Sequence, residues 1–473
     1  MSSQQKPGLS VPLTGRDQLL DYFERGCRPA AEWGVGAEME QLVIDAQSGE
    51  AADFARVEQL LIELARVTGW REMVEGERVI GLIGPHSSVT LEPGGQLELS
   101  GQLCSDLCCN HADFMRHVER VVSVGSRLGL AFLGLGTQPF TPLEQIGWVP
   151  KARYAIMGPY MLHAGDMGVR MMKQSAGLQV NLDYSDEGDC MAKLRLAQAL
   201  APLLYALFAN SPLLDGQPSG FLSSRGEIWS RTDPDRSGLL PFLDNPDAGF
   251  ADYIDYALAV PMYFIVRDGA YIDLTQERFT FRDYLDQGVA GYQPTLSDWD
   301  THLSTLFPEV RLRPQIEVRS ADSLPPRLAL SVAALLKGLL YDAEIREMTW
   351  DLCRPASQQQ LRESCRAAWT TGLGAAWGDG TLTDLARHCL ALARTGLARD
   401  AARRGHGKNE TIFLEGLVDL IESGRTLAEQ LLAGWQGDRQ DKLKMLIAHG
   451  AFSLTGENAP PCGCKASASP AAD

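Results

Sequence analysis

The sequence predicts one large α+β domain with an essentially helical C-terminal third. Short strand-like segments are dispersed between residues 35 and 319, often with short connections, which favours an antiparallel or mixed sheet over regular βαβ units. Apolar residues at helical spacing dominate the part from about 324 onwards. No repeat or low-complexity linker divides the chain. We therefore expect a flexible arm over 1–13, a single large domain over 14–452, and a disordered tail over 453–473.

The predicted elements follow from local pattern and from turn residues. Leu and Val at helical spacing predict a helix over 53–68, and the Ala/Leu-rich segment 192–209 predicts another that ends at Asn210-Ser-Pro212. In the first half of the chain, we expect a short helix over 14–30, an acidic strand, the helix over 53–68, a turn-rich strand region ending at Gly101, and a helix over 103–128. A buried strand from Ala131 and the helix over 192–209 follow. Beyond Asp233 we expect a mixed region and then helices around 324–341, 355–368 and 380–452.

The overall charge restricts the possible partners of the chain. A net charge of −17 argues against nucleic acid or an anionic membrane as a main partner, so any phosphate-bearing ligand must meet local positive charge or a metal. The first residues carry no apolar signal core, and no run is long enough to span a bilayer. We therefore expect a cytoplasmic protein that binds small molecules, as a monomer or homodimer.

The ten cysteines lack the regular spacing of a secreted disulfide scaffold. Cys104, Cys108 and Cys109 have ligand-like spacing, but no second Cys/His pair lies nearby, so a buried and reduced set on a helix is favoured over a zinc site. Cys462 and Cys464 form a vicinal pair in the predicted tail. That pair is interpreted either as incidental or as a metal-binding or redox-sensitive site.

Four strand-like segments carry polar or acidic side chains on alternate positions, and the residues between them are mostly apolar. Side chains two apart on a strand share a face. The resulting same-face sets are Glu38 with Glu40, Gln96 with Glu98, Gln179 with Asn181 and Asp183, and Glu317 with Arg319. Clustered carboxylates repel one another and are costly to bury unless a cation neutralises them. Because hard oxygen ligands favour Mg²⁺ or Mn²⁺, the sequence predicts a metal site on this face.

Other residues could complete such a site. Glu92 precedes Pro93-Gly-Gly, a tight turn that would present Glu92 and Glu98 to one site from either side. Three arginines lie within the segment 225–236, which predicts an anion clamp, although surface pairing with Asp233 and Asp235 is an alternative. Lys151 and Arg153, after a turn, either add positive charge or belong to a solvated loop.

Five motifs together give the chain a family resemblance. It resembles the glutamate–cysteine ligases of the plant and proteobacterial type, in the glutamine-synthetase-like superfamily, over roughly 20–450. The motifs are Leu91-Glu-Pro-Gly-Gly-Gln-Leu-Glu-Leu-Ser-Gly101, Gln179-Val-Asn-Leu-Asp183, Leu207-Phe-Ala-Asn-Ser-Pro212, Asp255-Tyr-Ala-Leu-Ala-Val-Pro-Met-Tyr-Phe264 and Leu306-Phe-Pro-Glu-Val-Arg-Leu312.

The resemblance implies a curved, mainly antiparallel sheet with helices packed behind it, and Mg²⁺ bound with ATP on the concave face. It implies that ATP phosphorylates the γ-carboxylate of glutamate and that the cysteine amine then displaces phosphate, giving γ-glutamylcysteine, the first step of glutathione biosynthesis. Arg319 would face the transferred phosphate beside Glu317, and Arg225, Arg236 and Asn181 would lie on the nucleotide side. The implied metal-binding residues are Glu38, Glu40, Glu92, Glu98, Gln179 and Glu317.

The chain departs from the family pattern in the segment implied to bind the amino-acid substrate. Just before Gln179 the family typically carries an Arg-Thr-Cys-Thr run, and this chain has Lys173-Gln174-Ser175-Ala176-Gly177. The change removes an arginine that could clamp a carboxylate, and a lysine cannot reproduce its bidentate fork. Two alternatives therefore stay open: a related ligase that joins a different acid or amine, and a non-catalytic nucleotide-binding relative.

Overall fold

A computed structural model describes residues 9–355, 357–405 and 409–454. Cys462 and Cys464, and most of the predicted tail, lie outside the described residues. The last part of the predicted N-terminal arm is attached to the domain. The amide of Leu13 donates to the carbonyl of Pro294, and the amides of Leu296 and Ser297 donate to the carbonyls of Val11 and Leu9.

One antiparallel sheet forms the centre of the molecule. Its spatial order is β8-β9-β7-β1-β5-β4-β3-β2, and β6 pairs with the second half of the long strand β1. The strands are β1 (Val35–Asp45), β2 (Arg71–Glu75), β3 (Arg78–Ile83), β4 (Ser88–Leu91), β5 (Leu97–Ser100), β6 (Leu130–Leu133), β7 (Gly177–Leu182), β8 (Val310–Leu312) and β9 (Ile316–Asp322). Two-stranded ribbons join Leu213–Leu214 to Gln217–Pro218, Ser237–Gly238 to Phe307–Pro308, Phe264–Arg267 to Ala270–Asp273, and Ala376–Trp377 to Gly380–Thr381.

Helices cover one side of the sheet and make up the C-terminal third. The predicted single helix over 192–209 is two helices, α6 and α7. The helices are α1 (Asp17–Glu24), α2 (Phe54–Thr68), α3 (Leu107–Arg127), α4 (Ala152–Ala164), α5 (Gly168–Gln174), α6 (Glu187–Ala199), α7 (Ala201–Leu207), α8 (Ser224–Ser230), α9 (Phe250–Ala259), α10 (Phe281–Gln287), α11 (Leu296–Leu303), α12 (Pro326–Leu340), α13 (Ala343–Cys353), α14 (Gln358–Thr371), α15 (Leu382–Arg404), α16 (Glu415–Ser423), α17 (Leu427–Gly434) and α18 (Arg439–Gly450).

The apolar faces of these elements form a core that leaves one face of the sheet for polar residues. Ala37 and Met39 of β1 are buried, and α12 packs against β1 and β7 with nearly all of its residues buried. This burial removes the apolar side of the alternating strands from water, which is the main stabilising contribution to such a layered fold. The predicted α+β class is confirmed, and the carboxylates of β1 lie on the side opposite the core.

The prediction of a fully reduced cysteine set around α3 is wrong. Cys104 and Cys109 form a disulfide with a Cα–Cα distance of 5.8 Å. Asp106, between them, caps α3 by accepting a hydrogen bond from the amide of Cys109. The cap turns the chain so that the two cysteines meet across the first turn of the helix.

None of the described helices combines the length and apolarity that a membrane span requires.

Candidate active site

Strand register brings the acidic residues of β1, β5 and β7 together. Glu38 lies opposite Gln179 of β7, and Glu40 lies opposite Glu98 of β5. The amide Nε2 of Gln179 donates to Oε1 of Glu40 at 2.9 Å. Because directly paired side chains in an antiparallel sheet have Cβ atoms about 5 Å apart, these carboxylates share one small region. Three strands that are distant in sequence thus contribute to one acidic surface.

Glu92 reaches the same surface from the turn between β4 and β5. Gly95 adopts φ +88°, and a Cβ on Gly94 would lie 2.1 Å from the carbonyl oxygen of Lys173, so both positions require glycine. Lys151 Nζ and the Tyr154 hydroxyl both donate to the carbonyl of Leu91, at 2.5 and 3.2 Å. The start of α4 therefore fixes the backbone that carries Glu92.

Burial and mutual repulsion make the β1 carboxylates hard to ionise. Burial, followed by the charges of Glu317 and Glu98, raises the pKa of Glu38 to about 7. Burial, followed by the charges of Glu92 and Glu98, raises the pKa of Glu40 to about 8. A carboxylate that resists ionisation in an acidic cluster is stabilised as an anion when a cation binds. The local chemistry therefore favours a bound cation.

Two arginines neutralise Glu317. Arg311 of β8 lies opposite Glu317 of β9, and its Nη2 donates to both carboxylate oxygens at 2.8 and 2.7 Å. Arg319 also donates to Glu317, as expected for side chains two apart on a strand. The guanidinium groups outweigh burial and hold the pKa of Glu317 at about 2. Glu317 is thus a permanently ionised group that holds two arginines in place.

A cavity of about 110 Å³, partly open to solvent, lies over this surface. Its floor carries the acidic residues and Gln179, and its other walls carry positive charge and apolar side chains. The acidic lining residues are Glu38, Glu40, Glu92 and Glu98, and the basic ones are Lys151, Arg153, Arg311, Arg313 and Arg319. An acidic floor below basic walls suits a ligand in which anionic groups are bridged to carboxylates by a cation. Ser175 also lines this cavity.

Arg225 lies behind Arg319. Its side chain is 2% exposed, and its Nη2 donates to the carbonyl of Arg319 at 3.1 Å. The ring of Trp229 is close to both guanidinium groups, with its centroid 5.7 Å from that of Arg225 and 5.5 Å from that of Arg319. Trp229 lines the cavity, so α8 contributes an aromatic face next to the arginines.

Several predicted residues are placed outside the cavity. Arg236 is fully buried, where its Nε donates to Asp233 at 2.6 Å, which resembles the ion-pairing alternative rather than an anion clamp. Lys173 donates to the carbonyl of Leu143, and Gln174 donates to Thr141 and Asp215. These contacts give Arg236, Lys173 and Gln174 structural partners elsewhere, so this placement does not support direct binding by their side chains.

Asn181 forms a hydrogen bond to a carboxylate of the site. Its Nδ2 donates to Oε1 of Glu38 at 3.1 Å. Asp183, which shares its face in the sequence pattern, is fully buried and accepts a hydrogen bond from the amide of Gly34 at 2.7 Å. The polar residues of this segment therefore differ in position: Gln179 lines the cavity, Asn181 contacts Glu38 and does not line the cavity, and Asp183 is in the interior.

Sequence reasoning missed Arg311, Arg313 and Trp229. Arg311 lies in a motif that carries the family resemblance, but only the β8–β9 register shows that it pairs with Glu317. The alternation of Val310, Arg311, Leu312 and Arg313 is a signal of the same kind as the acidic strands, and it could have identified both arginines. Trp229, in α8, carries no comparable signal, because a single tryptophan in a short helix is ordinarily part of a core.

The predicted metal ligands stay a prediction. Glu38, Glu40, Glu92, Glu98 and Gln179 face one cavity, and their oxygen-only donor set suits Mg²⁺. The sixth predicted ligand, Glu317, is not among the residues that line the cavity, and its carboxylate is paired with Arg311 and Arg319, so this placement does not support a metal contact for it. Within the described part of the chain, no three His, Cys, Asp or Glu side chains are close enough to hold a metal ion as they stand.

Known proteins resemble this chain over most of its length. A family model described as glutamate–cysteine ligase family 2 matches residues 34–449. A chloroplastic glutamate–cysteine ligase of Brassica juncea is 40% identical over 433 residues, which cover 90% of this chain and 82% of the relative. The corresponding enzyme of Medicago truncatula is 40% identical over 429 residues, covering 90% and 83%. These names overturn the predicted cytoplasmic location, because the relatives are chloroplastic.

Solved structures share the fold at low sequence identity. A glutamate–cysteine ligase from Francisella tularensis, solved in complex with AMP, has a TM-score of 0.55 and 12% identity, and the match covers 88% of each chain. A bifunctional glutathione synthetase from Pasteurella multocida has a TM-score of 0.50 and 13% identity, with 92% of this chain and 53% of the other covered. The family match and the identity to the plant enzymes together establish that the chain belongs to glutamate–cysteine ligase family 2.

Proposed function

We propose that this protein catalyses the ATP-dependent ligation of the γ-carboxylate of L-glutamate to the amine of L-cysteine. The observation that carries the proposal is the cavity in which the four acidic residues of the floor face Arg311 and Arg319. This charge arrangement suits phosphoryl transfer, in which cations and guanidinium groups stabilise the moving phosphoryl group. The product, γ-glutamylcysteine, is the first intermediate of glutathione synthesis.

The residues of the cavity have separate roles in this proposal. Arg319, held by Glu317 and stacked near Trp229, stabilises the charge on the phosphoryl group as it leaves ADP for the γ-carboxylate of glutamate. Arg311 holds the other side of Glu317 and keeps both guanidinium groups fixed. Arg225 supports the backbone of Arg319 from behind. The amine then attacks the carbonyl carbon of the acyl phosphate, forms the C–N bond, loses a proton and expels phosphate.

Mg²⁺ fits the acidic floor. Glu38, Glu40, Glu92 and Glu98, with the amide oxygen of Gln179, form a donor set of the kind that Mg²⁺ prefers. Burial and, after it, repulsion between the carboxylates raise the pKa values of Glu38 and Glu40, and a divalent cation would offset both effects. When bound, Mg²⁺ neutralises triphosphate oxygens. The chain's own contribution is to hold these carboxylates by strand register and by the hydrogen bonds from Gln179 and Asn181.

One observation favours a second candidate, a ligase of this family with a different amino-acid pair. Lys173 occupies the segment in which the related sequences carry an arginine, yet its ammonium group faces the carbonyl of Leu143 and the ring of Trp148. Lys173 therefore does not replace a carboxylate clamp in the cavity. If substrate recognition has changed, the change lies in this segment.

Phosphate release tests both candidates. Purified protein with ATP and Mg²⁺ is assayed against glutamate and aspartate, each combined with a panel of amines that includes cysteine, and products are identified by mass spectrometry. We expect release that requires glutamate and cysteine together and yields γ-glutamylcysteine. Release with a different pair would establish the second candidate. ATP binding without release for any pair would overturn the ligase function and favour a non-catalytic nucleotide-binding protein.

A further inference from the structure

A second cavity, of about 610 Å³, lies away from the acidic residues. Its lining comes from β6 and from helices α3, α12, α16 and α18, and among the described residues it shares no lining residue with the cavity over the acidic floor. Cavities of roughly 300 to 1,000 Å³ are typical of small-molecule sites. Its size and its separation from the candidate active site make it a candidate site for a further ligand.

Most of the residues that line the second cavity are apolar. Several of them, among them Leu130, Phe132 and Leu330, also belong to the main hydrophobic core, so the cavity opens onto core packing rather than onto surface loops. An apolar group that enters it leaves water for an apolar wall, which is favourable. The apolar lining residues include Met115, Val122, Leu130, Phe132, Leu330 and Ile447.

Two polar groups in the lining have hydrogen-bonding capacity to spare. Arg327, at the start of α12, is exposed, and within the described part of the chain its guanidinium has no carboxylate partner and makes one long hydrogen bond, 3.5 Å from Nη1 to the carbonyl of His449. Nδ1 of His111 is buried and, among the described residues, has no hydrogen-bond partner. Buried polar atoms are ordinarily hydrogen-bonded, so this exception points to a missing partner.

We propose that the second cavity binds a small molecule with an apolar body and a single carboxylate, and that its occupancy changes nucleotide binding at the candidate active site. Arg327 binds the carboxylate through the two parallel hydrogen bonds that a guanidinium offers, and its exposure leaves the carboxylate partly hydrated. The apolar body lies against the apolar lining. Ligand binding here goes beyond the proposed function, and only the effect on nucleotide rests on it.

A series of hydrogen bonds connects the second cavity to the acidic floor. His449 lines the cavity, and its Nε2 lies 2.8 Å from Oδ1 of Asn210. Nδ2 of Asn210 donates to the carbonyl of Ser323 at 3.0 Å, and Oγ of Ser323 donates to the carbonyl of Glu40 at 2.5 Å. The side chain of Glu40 lines the other cavity. The backbone that carries this carboxylate is therefore linked to α18.

Backbone contacts reinforce this connection. The amide of Gly134, just after β6, donates to the carbonyl of Gly450 at the end of α18 at 2.9 Å, and Nδ2 of Asn210 donates to the carbonyl of Gly134 at 2.7 Å. The end of α18, the end of β6 and Asn210 thus form one packed unit. A ligand that shifts α18 must rearrange this unit, and a difference in ligand affinity between the two arrangements is what coupling requires.

Isothermal titration calorimetry with matched ligands tests the site. Octanoate is compared with octanol, which has the same chain without the charge, and with acetate, which keeps only the carboxylate. We expect octanoate to bind one to one, octanol roughly tenfold more weakly, and acetate not measurably. Arg327→Glu should weaken octanoate binding roughly tenfold or more and leave octanol within about twofold. Arg66→Glu, at an exposed arginine of α2, is the control.

A second variant tests the apolar lining. Val122→Trp adds a ring to α3 at the cavity and should weaken octanoate and octanol alike, roughly tenfold or more. Val67→Trp, at a valine of α2 that is 57% exposed, should change neither. Circular dichroism shows whether Val122→Trp is folded, and the exposed Arg327→Glu keeps the test decisive if it is not. Absence of octanoate binding, or equal octanoate affinity in the wild type and Arg327→Glu, would overturn the site.

Nucleotide binding tests the coupling. The Kd of a non-hydrolysable ATP analogue with Mg²⁺ is measured with and without saturating octanoate. We expect a change of roughly fivefold or more, and the same factor in the Kd of octanoate when nucleotide is saturating, because coupling between two sites is reciprocal. His449→Leu should abolish the change while binding octanoate within about threefold of the wild type. An unchanged nucleotide Kd would overturn the coupling. Failure to bind nucleotide at all would instead refute the proposed function, whatever the octanoate result.

Discussion

At the scale of single residues, the site is organised by how each carboxylate is balanced. Glu40 is buried beside other acidic groups, and burial, followed by the charges of Glu92 and Glu98, raises its pKa to about 8. Glu317 lies between Arg311 and Arg319, and its pKa is lowered to about 2. Two glutamates on neighbouring parts of one sheet thus have opposite electrostatic environments. Glu40 is suited to receive a cation, whereas Glu317 already holds two.

Substitution of Glu317 should reduce stability as well as activity. The Glu317→Gln variant leaves the guanidinium groups of Arg311 and Arg319 in a buried position without their counter-charge. Removing one partner of a buried ion pair typically costs about 3 to 5 kcal/mol. We expect a loss of that order in the free energy of unfolding, measured by urea denaturation, together with loss of ligase turnover. Full turnover in this variant would exclude a role for the Glu317–arginine network in catalysis.

The part of the site that depends on side chains two apart was predictable from the sequence. The alternation in β1 and β9 placed Glu38 with Glu40, and Glu317 with Arg319, on common faces. The cross-strand pair of Arg311 with Glu317 depends on register, which no local pattern specifies. The prediction could not separate adjacent residues in the segment expected to bind the substrate. Ser175 lines the cavity, whereas Gln174 does not, because α5 ends at Gln174 and the backbone becomes extended at Ser175.

At the scale of elements, turns and helix starts position the acidic residues. The turn at Pro93-Gly94-Gly95 brings the chain back into β5 while packing against the backbone of Lys173. The register of β9 against β7 also shifts between Val318 and Ala321, so Arg319 lies at a bulge. Bulges and tight turns redirect side chains next to active sites. The sequence predicted the turn from its glycines, but a bulge has no such signature here.

A methyl group at Gly94 should disrupt the turn. In Gly94→Ala the new Cβ would lie 2.1 Å from the carbonyl oxygen of Lys173, a backbone atom that cannot move alone. We expect a loss of roughly 2 kcal/mol or more in unfolding free energy and at least tenfold in kcat, because Glu92 is displaced. Gly147→Ala is the matched control, since nothing lies within 4 Å of its Cβ position. Equal stability and activity of the two variants would show that the turn tolerates the shift.

At the scale of the whole molecule, the fold class was predictable and the partition of the chain stays a prediction. One sheet packed on one main hydrophobic core explains why segments from 38 to 319 contribute to a single cavity. The helical C-terminal third packs onto the back of that sheet through α12, and α15 packs against α12. This arrangement supports a single domain over 14–452. Limited proteolysis tests it, with one resistant fragment of about that extent expected.

The acidic floor should also determine how the stability of the whole protein depends on pH. The pKa of Glu38, about 7, and that of Glu40, about 8, both lie above the ordinary value of 4.5, so the folded protein retains protons that the unfolded chain releases. Stability from such groups is present below pH 4.5 and is lost as pH rises towards 8. Burial lowers the pKa of the His117 imidazole to about 4, and it lowers the pKa values of His111 and His449 to about 4 as well. The contribution of buried neutral histidines to the free energy of unfolding has the opposite pH dependence: it is present above pH 6.5 and is lost as pH falls below that value.

These two effects separate in the window between pH 6.5 and 8, where the histidines contribute little change. In EDTA we expect the free energy of unfolding to fall by about 2 kcal/mol across this window, and to fall less in Glu40→Gln, whose amide carries no charge. Urea unfolding at closely spaced pH values measures the slope. Mg²⁺ should remove it by stabilising the ionised carboxylates, with a larger stabilisation at pH 8 than at pH 6.5. An identical slope in the wild type and Glu40→Gln, unaffected by Mg²⁺, would contradict a cation site on this face, because the repulsion it relieves would then be absent.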